Sequence, residues 1–329
     1  MILVISYPAE EHTDEVVARL NQQGREVQQI DLADFPARQG LTLNWPAGNE
    51  APSYWVGGSA GLVDLSRVRA TWWRRVTPFT SDDAITDPNK QAFAVSETSE
   101  AINGMLDALT CKWMNPRAAD DAAHHKPYQW SAAKEVGLRL PRTLVTTDPA
   151  AAKRFIDEIG VGKVVYKAFI AMHEAWRETR LIQKEDMDRL DLVRLAPVIF
   201  QEYIAGVDLR IIAVGDQLFT AEIDARDTAY PVDMRMVLGE SEVRPIQLPA
   251  AVTSALLKLQ KRLGLVYGAI DVRRTDEGEY YFLEVNPAGQ WMFVETRAAL
   301  PISQAIADFL GKMADEGKEQ FHPLRAVAL

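Results

Sequence analysis

The chain has 329 residues, 47% hydrophobic and 25% charged, with a formal net charge of -10. These values belong to a globular protein and exclude wholesale disorder, collagen-like and coiled-coil classes. The length exceeds what one core serves and predicts two or three domains. An acidic balance without a Lys/Arg-rich block argues against nucleic acid as the partner. The single cysteine, Cys111, cannot form an internal disulfide, which points to a reducing, cytoplasmic setting. The opening MILVISYPAEEHTDEVV is apolar for five residues and then turns acidic, so it reads as a buried strand, not a signal peptide. No stretch approaches the roughly 20 apolar residues of a membrane helix.

In chain order, Ile2 to Ile5 reads as a strand and Val16, Val17 and Leu20 as a helical stripe ended by Gly24. Glu26 to Ile30 is the next strand. This opening predicts a parallel sheet flanked by helices. The turn SYPAEEH lacks G-x-G-x-x-G and gives no support to a dinucleotide site there. Residues 40–61 read as loop or hairpin, Val68 to Val76 as a strand, and Asp87-Pro88 as the start of a helix to about Leu109. A boundary is expected near Asn115-Pro116. Beyond it the spacing predicts one helix over 118–136, a strand over 143–145, a helix from Asp148 to Ile159 and a strand over 164–167. From Pro197 on, successive strands are interrupted by a helix from Pro249 to about Leu263. The class is thus α/β followed by α+β, the latter mostly antiparallel.

The strongest local signal is YGAIDVRRTDEGEYYFLEVNP, Tyr267 to Pro287, read as a hairpin around Thr275 to Gly278. An even loop pairs 274 with 279 and sets Asp271 opposite Phe282. Alternation then places Asp271, Phe282, Glu284 and Asn286 on one face, and Ile270, Val272, Tyr281, Leu283 and Val285 on the other. Two carboxylates and an amide oxygen suit Mg²⁺. An acidic solvated face is the alternative, and an odd loop breaks the geometry. Lys126, after His124 and His125, and Lys167, ending VVYK, fit phosphate oxygens or plain surface positions. The adjacent histidines do not share a helix face and read as capping or surface residues. Gln201-Glu202 end a strand whose backbone groups suit a purine. Asp208 and Arg210 alternate onto one face of the next strand, either for a ribose and an anion or as a structural ion pair.

Together these pieces resemble the ATP-grasp superfamily: two lysines, then QEYI, D-L-R, an aspartate and E-V-N-P. More closely the chain resembles the graspetide (microviridin-type) peptide maturases. The segments that carry this are WWRR at Trp72 to Arg75, WMNP at Trp113 to Pro116, KPYQWSAAKEVGLRLPRTLVT, FQEYI with VDLR, AEID, the D-M-R at Asp233 to Arg235, and FLEVNPAGQW. The resemblance implies a pre-ATP-grasp domain over 1–116, a small lid subdomain over 117–196, a C-terminal subdomain over 197–315 and a tail over 316–329. It implies that Lys126 and Lys167 grip the ATP phosphates, that Gln201, Glu202, Tyr203 and Ile204 hold adenine, and that Asp208 holds the ribose. Asp271, Glu284 and Asn286 would bind two Mg²⁺. Arg210 and Arg235, with Lys167, would serve catalysis at the transferred phosphate or the acidic groups of a peptide. Arg74, Arg75, Glu222, Asp224, Asp233 and Arg235 would face substrate, with Glu222 and Asp224 also candidates for a general base.

The implied activity is ATP-dependent joining of Asp or Glu side chains of a ribosomal precursor peptide to Ser/Thr or Lys side chains. A leader segment docks on the enzyme, and a homodimer is expected. A ligase for free amino acids and a silent nucleotide- or peptide-binding protein are the alternatives. The family's Gly/Ser-rich loop over the triphosphate is replaced by AFIAMHEAWRETR, Ala168 to Arg180, where His173 or Arg180 would have to help.

Overall fold

The structure is a computed structural model and describes residues 1–58, 61–169, 179–228, 230, 232, 236 and 239–319. The chain divides into two compact units, Met1–Ala118 with Pro301–Leu329, and Ala119–Leu300.

In the first unit the expected strand, helix and strand are β1 (Ile2–Ser6), α1 (Glu11–Gln22) and β2 (Val27–Ile30), with β2 parallel to β1. The stretch read as loop or hairpin forms β3 (Gly40–Asn44), β4 (Ser53–Gly58) and β5 (Gly61–Asp64), a three-stranded antiparallel sheet. β6 (Ala70–Arg75) pairs with the other edge of β1. α2 (Pro88–Ala108) begins at Asp87, whose side chain accepts from the N–H groups of Asn89 and Lys90. β7 (Lys112–Met114) completes a wholly parallel sheet of order β2-β1-β6-β7. β1 is buried along its length, which is why ILVI is continuous rather than alternating. Its Leu3 and Ile5 pack with Ile102, Met105 and Leu106 of α2 and with Tyr54 and Val56 of β4.

In the second unit a single helix was expected over 118–136; the structure has α3 (Arg117–Ala123) and α4 (Lys126–Glu135) instead. Pro127, in the first turn of α4, has no N–H to donate and its ring clashes with a helical carbonyl four residues back, so the helix must restart. His125 supplies the extended cap residue without a side-chain cap bond.

β8 (Thr143–Thr146), α5 (Pro149–Ile159), β9 (Val164–Lys167), β10 (Arg180–Leu181), α6 (Lys184–Met187) and β11 (Val198–Glu202) follow. The strands pair antiparallel in the order β10-β9-β11-β8. Ala152 and Ile156 of α5 cover Leu144, Tyr166 and Phe200 on one face. Alternation sends Thr143, Val165, Lys167 and Gln201 to the other.

The larger sheet consists of β12 (Val207–Val214), β13 (Gln217–Asp224), β14 (Glu242–Pro245), β15 (Tyr267–Arg274) and β16 (Tyr280–Asn286), in the order β14-β13-β12-β15-β16 and antiparallel throughout. α7 (Ala250–Leu263) connects β14 to β15 and ends at Gly264, whose φ of 72° is the left-handed cap glycine favours. Leu256, Leu259 and Leu263 of α7, with Ala132 and Ala133 of α4, cover Leu209, Ile211, Ile270, Val272 and Phe282. One face of the sheet is therefore core, and the other is available for chemistry.

The last elements are α8 (Met292–Ala298) and α9 (Ile302–Glu319). α9 groups with the first unit, where the sequence had placed it in the C-terminal subdomain with a tail from 316. Its buried Ile302, Ile306, Leu310 and Met313 form one stripe, the helix packs on α1, β6 and β7, and Arg25 grips Asp315 through two bonds of 2.7 and 2.8 Å. Among the described residues no helix is long and apolar enough to cross a membrane.

Candidate active site

The site grows from the β15–β16 hairpin. Arg274 pairs with Tyr280, so Thr275 to Glu279 form an odd loop, against the even one expected. Val272 lies opposite Phe282, a register shift follows, and Asp271 lies directly opposite Glu284. Leu283 is the extra residue of a β-bulge. Phe282 thus turns into the core beside Val272, correcting its expected place beside Asp271, and Tyr281 and Leu283 leave the apolar set. The bulge restores the parity that the loop removes, and Glu284 and Asn286 still share the face of Asp271.

On that face the charges are paired. Arg210, opposite Asp271 on β12, donates through Nη1 to both Asp271 oxygens at 2.8 and 3.0 Å and through Nη2 to the Gln290 carbonyl at 3.0 Å. Burial works against the Arg210 charge, but the Asp271 charge and hydrogen bond, then Tyr267 and Glu284, outweigh it and raise the guanidinium above its ordinary value. The loop carrying Gln290 lies so near the sheet that a Cβ on Gly289 would sit 2.3 Å from that of Ala269. One strand step along, Arg273 donates to both oxygens of Asp208 at 2.8 and 2.9 Å and to the Tyr203 hydroxyl at 3.1 Å. Lys126, at the start of α4, forms an ion pair with Glu284. On the smaller sheet Lys167 Nζ donates to Gln201 Oε1 at 3.1 Å, and Gln201 Nε2 donates to Thr143 at 2.9 Å.

Lys126, Lys167, Gln201, Glu202, Tyr203, Ile204, Asp208, Asp271, Glu284 and Asn286 all line one cleft of about 1050 Å³ in the second unit. That is ample for a nucleotide. Glu202 does so by its backbone, since its side chain alternates away from that of Gln201. Its N–H donates to the Arg142 carbonyl at 2.8 Å and that of Tyr203 to the Lys163 carbonyl at 2.9 Å. Asp271, Glu284 and Asn286 are hard oxygen donors on one face and fit Mg²⁺. Asn286 Oδ1 accepts from Ala288 N–H at 2.9 Å and keeps a second lone pair. Among the described residues no group of three or more His, Cys, Asp or Glu could hold a metal, so any ion here draws its remaining ligands from phosphate and water.

Other sequence candidates fall elsewhere. Glu222 lies opposite Leu209, on the helix-covered face, with the sheet between it and Asp271. It is buried and paired with Arg244 and Arg274. Asp224 shares that side, and its bonds from Arg226 hold its carboxyl below the usual range, against the effect of partial burial. Arg74 and Arg75 belong to the first unit: Arg74 is buried beside Glu10 at 3.5 Å, and Arg75 is the more accessible. Asp233, Arg235, His173 and most of the stretch after Ala168 lie outside the described residues. His124 Nδ1 lies 2.7 Å from the Asp120 carbonyl, and both histidines line the cleft. Sequence reasoning missed Arg273, Thr143 and Gly289. Arg273 was open to it, being two residues from Asp271 on the same strand face.

Comparison with known proteins extends this picture over the chain. Residues 1–121 match the family model of the MvdD pre-ATP grasp domain, and residues 124–310 that of the RimK-like ATP-grasp domain. The crystal structure of macrocyclase MdnC from Microcystis aeruginosa MRC, bound with precursor peptide MdnA, is 30% identical with a TM-score of 0.81, covering 94% of this chain and 99% of that one. ATP-grasp ligase PsnB, complexed with a minimal precursor, Mg and ADP, is 26% identical with a TM-score of 0.78, covering 95% and 97%. A D-alanine--D-alanine ligase of Aquifex aeolicus (strain VF5) is 26% identical over 170 residues, 43% of this chain and 58% of the ligase, so the match spans little more than half of that enzyme.

Proposed function

Because the chain belongs to the ATP-grasp family, in the graspetide maturase branch with its MvdD-type N-terminal domain, we propose that it is an ATP-dependent ligase that closes rings within a ribosomal precursor peptide. A carboxylate oxygen of an Asp or Glu side chain attacks the γ-phosphorus of ATP, and ADP leaves. A Ser/Thr hydroxyl or Lys amine of the same peptide then attacks the acyl carbon, and phosphate leaves. Each ring consumes one ATP and removes the elements of one water.

The observation that carries this reading is the meeting of Lys126, Lys167, Asp271, Glu284 and Asn286 in one cleft, in a chain alike to peptide macrocyclases over nearly its full length. Lys126 exchanges Glu284 for phosphate oxygens when nucleotide binds, and Lys167 reaches the same group. Gln201 and the backbone at Glu202 to Ile204 receive adenine, and Asp208 the ribose. Arg210 holds and aims Asp271 through two hydrogen bonds. Asp271, Glu284 and Asn286 would hold Mg²⁺, two ions in our assignment, which neutralises charge on the transferring phosphoryl group. Arg75 and Arg235 are assigned to acidic groups of the peptide. Glu222 and Asp224 are assigned to the sheet, since its thickness separates them from Asp271. Tethering of the nucleophile lowers the barrier by proximity. A leader segment of the precursor, a cytoplasmic setting and a homodimer complete the reading; light scattering tests the last.

Replacing Glu284 by Gln keeps the shape and removes one ligand charge. ADP release and ring closure are expected to fall about a hundredfold or more. Turnover at the wild-type rate would overturn the metal assignment.

A further inference from the structure

β16 is the outermost strand of its sheet; the Arg139 carbonyl accepts from Phe282 N–H at 2.9 Å on its outer edge, and beyond Phe282 that edge is met by side chains of one helix. The Gln129 amide is buried and acts as a strand in miniature: Oε1 accepts from Val285 N–H at 2.9 Å and Nε2 donates to the Val285 carbonyl at 2.8 Å. Nε2 also donates to the Ala123 carbonyl at 2.5 Å, tying in the end of α3. The Trp130 indole N–H donates to the carbonyl of the bulge residue Leu283 at 3.0 Å. Lys126 pairs with Glu284. Positions 126, 129 and 130 lie on one face of α4, so three neighbouring side chains grip three consecutive residues of β16.

A bulge leaves a strand bent and unpaired at its extra residue, so contacts from outside the ladder add to the register in aiming the side chains beside it. Here the ladder to β15 resumes beyond Leu283 with Glu284 opposite Asp271, while on the outer edge the Gln129 side-chain amide pairs with Val285 as a further strand would. We propose that Gln129 and Trp130 are positioning residues that hold the bulge and thereby aim Glu284 at the nucleotide and its metal ion. α4 then links the lysine that meets phosphate to the carboxylate that meets metal, so the two move as one. This rests on the metal assignment made above.

The test reads nucleotide binding, so it needs neither peptide nor turnover. ADP affinity is measured by titration calorimetry with and without Mg²⁺, alongside thermal midpoints, for the wild type, Trp130→Phe and Gln129→Met. Trp130→Phe keeps the ring and removes only the donor. We expect Mg²⁺ to strengthen ADP binding in the wild type, and this strengthening to shrink about threefold to tenfold in Trp130→Phe with its thermal midpoint nearly unchanged. Gln129→Met should lose more; if it does not fold, Trp130→Phe decides alone. An unchanged Mg²⁺ effect in folded Trp130→Phe, with or without a lower midpoint, would overturn the positioning role and leave the metal assignment intact. Wild-type binding indifferent to Mg²⁺ would overturn that assignment and this proposal with it.

Discussion

Arg210 shows how a single side chain joins two parts of the site. Its fork spans the Asp271 carboxylate and the Gln290 carbonyl, fixing the loop after Asn286 against the strand that carries Asp271. A lysine keeps the charge but not the fork. Arg210→Lys is therefore expected to keep the Asp271 pair, lose the hold on Gln290, and lower turnover at least tenfold with a modest loss of stability. Steady-state kinetics with a melting curve check this. Arg210→Met leaves Asp271 without its buried partner and is expected to cost about 3–5 kcal/mol in denaturant titration. At this scale the sequence singled out Asp271, Glu284 and Asn286 by spacing, left Lys126 and Lys167 between phosphate and surface, and the structure brings all five to one cleft. The sequence was less informative about partners. Asp208 and Arg210 read either as ligands of a ribose and an anion or as a pair with each other, whereas each bonds the residue opposite it on β15, and strand pairing is not written in either residue alone.

Elements carry the register, and register is where alternation fell short. The faces of β15 and β16 were read from an even loop, while the fold uses an odd loop and a bulge that cancels it. No residue between Thr275 and Leu283 announces that pair of departures, since their energetics lie in packing Phe282 into the core. The break between α3 and α4, by contrast, had a sequence signal in Pro127.

The start of α1 holds another device of element size. Glu10 caps the helix, accepting from the Thr13 N–H at 2.8 Å and hydroxyl at 2.7 Å, with His12 at 3.0 Å. Burial alone would raise its carboxyl, but the His12 hydrogen bond, the Arg74 charge and Thr13 outweigh burial and hold it at about 2, against an ordinary 4.5. A depressed carboxyl stabilises the fold fully above its unfolded value. That contribution is lost as pH falls from about 4.5 toward about 2. Glu10→Gln should lower stability by up to about 3 kcal/mol near neutral pH and flatten its decline in acid. Urea titrations at several pH values read both, and parallel curves for the two proteins would contradict the cap's role.

For the whole molecule, the net charge of -10 does not draw an acidic peptide to the surface. Recognition must therefore be local, and the two units contribute different chemistry. The second holds the cleft with its lysines and carboxylates. In the first, the WWRR run is partly structural: Trp72 is buried, and Trp73 contacts the Trp113 ring and the Arg117 guanidinium, 4.9 Å from its ring. The succession of a parallel and a mostly antiparallel part was legible because buried parallel strands are continuously apolar, while β11, β12 and β13, and again β15 and β16, follow one another through short turns. The place of α9 was not, because an amphipathic stripe says that a helix packs but not on what. The central claim is intramolecular condensation driven by ATP. It is tested most directly by the intact mass of a candidate precursor peptide carrying a leader segment and Asp/Glu and Ser/Thr or Lys side chains, before and after incubation with enzyme, ATP and Mg²⁺. The account predicts loss of one or more waters with one ADP formed for each. ADP formed with the peptide mass unchanged, or an added mass from a second molecule, would contradict it.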